Sequence, residues 1–582
     1  MAKEAKNSAA AAAARSPHTS GHTSIVKSSL VMFLGTFTSR ILGMIRSPIL
    51  LTLVLGLNSP IANSFDIANK LPNIIFSIIA GGLINAVLVP SIVKAASEQE
   101  DAGNTFINKL LTISIVILAT LTFLLTLATP LVVKAFAASL NQEWYEMTVI
   151  FAYWCLPQIF FYGLYAIVGE ILNARENFGP YMWSPVLNNV VAIIGLFIIL
   201  GVFGSANPDS IQNASVWQST RGLVLVGFST AGVASQALIL FWPLHRSGIR
   251  FRPDFSWRNS GLGAAGKASL WVLSLTLISL IPTALETNVS AGAMQRALNA
   301  GIDTALVAGN AASSVSYAIC GLPTSLITVS IATAMFTRLA KAARQRNYQI
   351  MRKQAAYTVN TISAFNFLAL SLIITLAFPV SRVFVPAGST GEIASLAHVI
   401  IPMSFSLLGT GVTIVYNRVC YSLNDMRGAF FMALPGQVIM IVGYLLCSFL
   451  PPTHTVSGVG VVMSLSTATT GILLILYSRK LLRHIYGRDI LWAHLKLALV
   501  ALLITIPGVL AIHAVGTEKV TGSFLAAVGT ILVVTPIMGT VFLLLLKLFR
   551  VRELRSILQA LAMVAGKLGL KSLAARISDS DS

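Results

Sequence analysis

From residue 28 onward the chain is a succession of long apolar runs separated by short polar breaks. The runs fall near 28–55, 63–94, 107–136, 145–172, 182–204, 221–244, 265–290, 303–337, 355–379, 393–422, 429–450, 456–478, 490–514 and 521–549. About 20 apolar residues wound as a helix cross the ~30 Å hydrocarbon core of a bilayer. A barrel strand would need only about 10 residues of strict alternation, and these runs are longer and do not alternate. The pattern predicts an all-α polytopic membrane protein with about 14 transmembrane helices. The runs at 63–94 and 303–337 carry Gly, Pro and polar residues, so breaks are expected inside them.

Composition sharpens this reading. Of 582 residues 55% are hydrophobic and 10% charged, with a mean hydropathy of +0.79. Several soluble domains could not be covered by so few charges. There are 40 Lys and Arg against 20 Asp and Glu, but the cations sit between apolar runs, so no nucleic-acid partner is expected. Residues 1–24 read as a disordered cytoplasmic tail, with no apolar core and cleavage site of a secretory signal. Residues 551–582 form a basic tail, within which 551–576 has helical apolar spacing suited either to the inner leaflet or to a solvated helix. Cys155, Cys320, Cys420 and Cys447 lie in or beside apolar runs without ligand spacing and read as small buried hydrophobes. No metal site, phosphate-cradling loop or nucleophile triad is visible. No cofactor is expected, and an integral-membrane enzyme is disfavoured because His, Asp and Glu do not cluster near one face.

Charge then sets the orientation. With the amino terminus inside and the spans alternating, about three quarters of the 40 cations fall on the cytoplasmic side. The opposite loops, such as NSP, NAGIDT, PAGSTGE and PPTHTVSG, are nearly free of them. The positive-inside rule therefore predicts both termini in the cytoplasm, and one missed helix would invert every later loop.

Three cations stay inside the first two spans. Arg40 and Arg46 lie in TSRILGMIRSP, and six helical steps of 100° put them on neighbouring sides of one helix. Lys70 lies in FDIANKLPN, four residues after Asp66 and on the same helical face. A cation at mid-bilayer costs at least roughly 2.5–3.5 kcal/mol and normally faces a wet cavity or a partner. One reading is a structural Asp66–Lys70 pair with Arg46 reaching an interface. The other is a cationic cavity for an anionic substrate, where the planar guanidinium suits phosphate. Glu286, in the seventh span, has no local cation. It is expected to pair across the cavity, to bind a proton or Na⁺, or to be a satisfied structural carboxylate. Pro72, Gly81, Gly82, Pro157, Pro282, Gly321 and Pro323 break several spans, as in secondary transporters whose broken helices line a binding site.

The block from Thr38 to Lys94 resembles the amino-terminal signature of the MurJ (MviN) family. These are lipid II flippases of the multidrug/oligosaccharidyl-lipid/polysaccharide exporter superfamily. The matching elements are Ser39, Arg40, Leu42, Gly43 and Arg46, then Lys70 to Asn73 (KLPN), then Val89 and Pro90. Later blocks follow in order: Leu172, Asn173, Phe178, Pro180, Pro185 and Asn188, then Arg418, Tyr421, Asp425 and Arg427. The resemblance implies two pseudosymmetric six-helix lobes around a central cavity, residues 25–258 and 259–488. Two further helices in 489–550 would line a groove for the lipid tail. It also implies movement of undecaprenyl-diphosphate-linked peptidoglycan precursor to the outer leaflet of a bacterial plasma membrane by alternating access. On that reading Ser39, Arg40, Arg46, Lys70 and Asn73 bind the diphosphate and headgroup. From the residues themselves, and not from the resemblance, Asp66 and Glu286 are expected to serve either ion coupling or structural pairing. Gly43, Pro72, Gly81, Gly82, Gly321 and Pro323 allow helix breaks. Energy would come from Na⁺ or proton gradients, membrane potential or downstream consumption of the substrate. A closed two-lobed cavity needs no second copy, so a monomer is expected, with lipid II, membrane lipids and cell-wall assembly proteins as partners. The chain departs from many members at Ser47, Asn63, Phe76, Ser77, Gly81, Ala318 and Gly321, leaving a less charged cavity. The alternatives are a flippase for another polyprenyl-diphosphate glycan, an ion-coupled exporter of the same superfamily, and a non-transporting scaffold.

Overall fold

The computed structural model describes residues 32, 34–79, 104–175, 177–255, 267–552, 554 and 558. No strand occurs among them. The long helices are α1 (Leu34–Leu55), α2 (Pro60–Ile79), α3 (Asn104–Leu127), α4 (Gln142–Ala174), α5 (Phe178–Phe203), α6 (Thr220–Arg246) and α7 (Lys267–Asn299). They continue as α8 (Thr304–Arg344), α9 (Tyr348–Thr375), α10 (Thr390–Ser422), α11 (Met426–Cys447), α12 (Pro452–Leu481), α13 (Gly487–Val515) and α14 (Phe524–Leu548). Among the described residues thirteen helices are long and apolar enough to cross a membrane. The helix outside that set is α2, whose Asn63, Ser64, Asp66, Asn69, Lys70 and Asn73 make it the polar member.

The molecule is inverted relative to a water-soluble protein. Large apolar side chains cover its outside, among them Leu131 (75% exposed), Leu502 (56%) and Leu525 (77%). Polar side chains are buried inside, including Asn63, Gln158, Glu286, Asn310, Ser313 and Asn366. Hydrocarbon satisfies the first set, and only protein partners satisfy the second. The protein is a multi-pass membrane protein.

Packing is largely sequential. In the first half α5 lies along α6, and α4 packs against α2, α3 and α6. In the second half α12 is the hub, touching α7, α10 and α11. Helix α13 packs on α9, and α14 on α13 and on the short helix Ala377–Phe384. The halves meet where α2 touches α7 and α8.

Several apolar runs are divided where a proline or a polar step interrupts the backbone ladder. The run at 107–136 becomes α3 and a separate helix, Thr129–Ala137, with Pro130 in its first turn. Helix α4 breaks at Leu156 and Pro157, and the run at 355–379 ends α9 at Thr375 before Ala377–Phe384. The polar stretch after α5 folds rather than loops. Asn207 caps Pro208–Gln212, and the buried Trp217 indole donates to the Ser210 carbonyl at 2.6 Å. Gly81, Gly82, the 1–24 tail and most of 551–582 lie outside the described residues.

Candidate functional site

Helix α1 contains a π-helical turn at Ile45–Leu50 (IRSPIL). Pro48 has no N–H to give to the α-ladder, and the turn widens around it. Arg46 sits in this turn and points into the first half. Its Nη1 donates to Asn188 Oδ1 on α5 at 3.3 Å, and its Nη2 to Ser229 Oγ on α6 at 3.3 Å. Both acceptors are held in turn. The Ser229 hydroxyl donates to Asn69 Oδ1 at 2.7 Å, and Asn188 Nδ2 donates to Gln236 Oε1 at 2.8 Å. Gly232 makes the approach possible, since a Cβ there would stand 2.6 Å from Asn188 Oδ1 and 2.8 Å from its carbonyl oxygen. Among the described residues every hydrogen-bond partner of Arg46 is thus a neutral dipole. No carboxylate lies within ion-pairing distance of it among the described residues. A small chamber of about 30 Å³, lined by Arg46, Ser47, Phe65, Asn69 and Ser229, opens beside it.

Arg40 leaves α1 on another side and crosses to the second half. Its Nη1 donates to Ser325 Oγ at 2.7 Å, and Ser325 lies in a second π-helical turn, Thr324–Thr328 of α8. This turn follows Pro323 directly and stands three residues after Gly321. Ser39 pins α1 to α5, accepting from Asn189 Nδ2 at its carbonyl (2.8 Å) and hydroxyl (3.3 Å). Gly43 faces the same Asn189, and a Cβ there would have ordinary clearance of 3.7 Å.

A second charged cluster forms where the halves meet. Lys70 Nζ stands 3.4 Å from Asp66 Oδ2 one turn away on α2, and donates to Asn310 Oδ1 on α8 at 3.1 Å. Ser314 on α8 donates to Asp66 Oδ2 at 2.9 Å, and Ser313 donates to Glu286 Oε1 on α7 at 2.7 Å. Asn310, Ser313 and Ser314 have i, i+3, i+4 spacing, so one face of α8 organises Lys70, Glu286 and Asp66 together. Glu286 is buried and bonds a hydroxyl; no arginine pairs with it among the described residues. Lys70 and Asp66 keep 22% and 18% exposure. A cavity of about 230 Å³ between α1, α2 and α8 reaches Asp66 and Ser314 and shares Ser47, Phe65 and Asn69 with the Arg46 chamber. Pro72 is buried within α2, which runs on through it, and Asn73 lies exposed beyond Lys70.

At the cation-poor end the halves are sewn together by uncharged groups and one carboxylate. Glu392 Oε1 at the start of α10 accepts from the backbone N–H of Leu57 (3.0 Å) and Asn58 (3.1 Å). Asn58 Nδ2 donates to the Ala305 carbonyl and to Ser395 Oγ. Asn288 on α7 accepts from Ala138 N–H and donates to the Ala135 carbonyl.

Sequence reasoning singled out the charges but not the groups that hold them. Asn69, Ser229, Asn310, Ser313, Ser314, Ser325 and Glu392 were missed. The available signal was polar residues at helical spacing inside apolar runs, as in NAASS and STAG. Among the described residues no three His, Cys, Asp or Glu gather to hold a metal. The arrangement is suited to binding an anion and to relative movement of helices.

The fold is that of a transporter. It is similar to a solved structure described as "Lipid II flippase MurJ, inward closed conformation", with a TM-score of 0.64 and 18% identity over 88% of this chain and 98% of that one. It is also similar to an inward-facing multidrug resistance MATE family transporter of the MOP superfamily, with a TM-score of 0.55 and 13% identity over 76% of this chain and 98% of that one. A family model described as "Lipid II flippase MurJ" matches residues 54–530, and the chain belongs to this family. Relatives named "Probable lipid II flippase MurJ" include those of Rickettsia prowazekii (strain Madrid E) and Rhizobium meliloti (strain 1021). The first is 23% identical over 62% of this chain and 66% of the relative. The second is 25% identical over 56% of each. The chain thus spans a little over half to about two thirds of the length of these relatives.

Proposed function

We propose that the protein is a lipid II flippase of a bacterial plasma membrane, with both termini in the cytoplasm and no catalytic chemistry of its own. It would move the undecaprenyl-diphosphate-linked precursor from the inner to the outer leaflet for cell-wall synthesis. The observation that carries this reading is Arg46, a cation within the membrane span held only by neutral groups beside a cavity. Such a cation keeps its attraction for an anion, and its fork suits a diphosphate. Family membership supports lipid II over other polyprenyl-diphosphate glycans, and a cationic chamber disfavours export of cationic drugs.

The cavity of about 230 Å³ is below the ~300–1,000 Å³ of ordinary small-ligand pockets. Admitting a disaccharide-peptide headgroup therefore requires the lobes, residues 25–258 and 259–488, to part, which is what alternating access provides. Arg40 and Lys70, both bonded to α8, would change partners in that movement, and Ser39 and Asn73 would border the headgroup. Helices in 489–550 would guide the lipid tail. In the cluster of Asp66, Glu286 and Lys70 two carboxylates face one cation. That surplus supports uptake of a proton or Na⁺ as the coupling step, with membrane potential as a second energy source. The lobes form a complete cavity in one chain, so a monomer suffices, with cell-wall assembly proteins as neighbours.

The test is complementation of a strain depleted of its lipid II flippase, together with an assay of lipid II accessible outside the cell. Arg46→Ala at wild-type protein level is expected to abolish both. Normal growth and normal exposure of lipid II with that variant would sink the assignment.

A further inference from the structure

Away from the cavity, at the cation-rich end, lies a larger pocket of about 520 Å³ between the beginnings of α9 and α13 and the end of α14. Four cations line it: Lys353, Lys496, Arg550 and Arg552, against one carboxylate, Asp489. Among the described residues no carboxylate ion-pairs with any of the four. Lys496 is fixed by donating to the Phe549 carbonyl at 3.2 Å, which ties α13 to the end of α14. Among the described residues the pocket therefore presents an excess of positive charge.

Two further observations specify what would fill it. Asn360 lines the inner wall, is 6% exposed, and its Oδ1 has no hydrogen-bond partner. A buried acceptor without a donor is unfavourable, so an occupant should bring a hydroxyl or N–H as well as negative charge. The pocket also adjoins an exposed apolar surface. Trp492 stands at its edge, 55% exposed, where an indole suits the headgroup level. From there Leu491, Leu495, Leu499 and Leu502 form an exposed apolar strip along α13, at spacings that keep one helical face.

We propose that this pocket binds the phosphoglycerol headgroup of an anionic membrane phospholipid, whose acyl chains lie along the α13 strip. Phosphate meets the four cations, and a glycerol hydroxyl donates to Asn360. A phosphatidylethanolamine headgroup is disfavoured in this role, because it is net neutral and would leave the excess charge of Lys353, Lys496, Arg550 and Arg552 over Asp489 uncompensated. The site is separate from the Arg46 chamber and shares no lining residue with it.

The full-length protein, purified and presented with equimolar phosphatidylglycerol and phosphatidylethanolamine, would be examined by native mass spectrometry for retained lipid. Phosphatidylglycerol should be retained preferentially. Each cation near a membrane surface is worth about fivefold in binding to anionic lipid, so Lys353→Gln with Arg552→Gln should reduce retention by about 10- to 25-fold. Both side chains are exposed, which keeps the double variant folded. Asn360→Leu should reduce the preference for phosphatidylglycerol over phosphatidic acid, which lacks the hydroxyl. Arg46→Ala should leave retention unchanged, separating this site from the flippase reading. Equal retention of the two lipids, or undiminished phosphatidylglycerol on the double variant, would overturn the proposal. Displacement of the lipid by millimolar inorganic phosphate or glycerol phosphate would also overturn it, by showing a site for the free anion.

Discussion

Two regions of this molecule place cations inside the membrane, and they do so in opposite ways. Arg46 is surrounded by amide and hydroxyl oxygens from α5 and α6, so its positive charge is solvated but not cancelled. Lys70 is held against Asp66, with Glu286 organised by the same face of α8, so its charge is more than cancelled. Dipoles and counter-charges both make a buried cation tolerable, but only dipoles leave it able to attract an anion. On the function proposed, the difference separates a site able to receive an anionic substrate from a junction that joins the two halves.

The comparison can be broken most severely at Arg46, where alanine should remove the anion site and with it complementation. Next in size is Asp66→Asn, which strands Lys70. Removing one partner of a fully buried pair costs about 3–5 kcal/mol. Residual exposure of 22% and 18% reduces this, so about 1–3 kcal/mol is expected after allowing for solvent screening. Thermal unfolding in detergent should show a clear loss that Asp66→Asn with Lys70→Met largely restores. A double variant no more stable than Asp66→Asn would show that the pair is not what holds the junction.

Gly232→Ala probes the other side of the comparison. Its methyl would strike Asn188, and overpacking of this kind costs typically about 1–3 kcal/mol. Lower thermal stability should accompany weaker complementation, because Asn188 also orients Arg46. In an Arg46→Ala background the stability loss should remain. A Gly232→Ala protein with wild-type stability would mean that α5 and α6 are not in contact there.

The smallest effect is expected from Glu286→Gln. The amide oxygen can still accept from Ser313, while the surplus carboxylate is removed. Stability should change by less than about 1 kcal/mol, whereas any Na⁺ or pH dependence of lipid II transport in proteoliposomes should diminish. Unaltered dependence on both ions would place coupling elsewhere.

The helices were legible in the chain because hydrocarbon imposes one requirement on every span, and runs such as 182–204 and 456–478 meet it without reference to neighbours. Interruptions were legible as residue types but not as shapes. Pro323 marks a disturbance in α8, yet only the structure shows that the π-helical turn follows it and carries Ser325 to Arg40. The charged residues of the site were legible because a cation in an apolar run is conspicuous. Their partners were not, since Arg46 meets residues 142 and 183 positions away, and a serine or asparagine in a membrane helix is unremarkable in isolation. Asn188 fell within a family-like block, but nothing in that block linked it to Arg46. The short helices within 205–219 were not legible in the chain, because they rest on local caps and on the buried Trp217 indole bonded to Ser210.

The junction at the cation-poor end has a consequence for the medium that bathes it. Glu392 is satisfied there by backbone N–H groups of Leu57 and Asn58 rather than by a lysine or arginine. These contacts are about 3 Å long, well inside the ~8 Å over which dissolved ions screen charges at 0.15 M. Fluctuating salinity at that end should leave the fastening of the two halves almost untouched, so its release is expected to answer to movements within the protein and not to the ionic strength of the medium there.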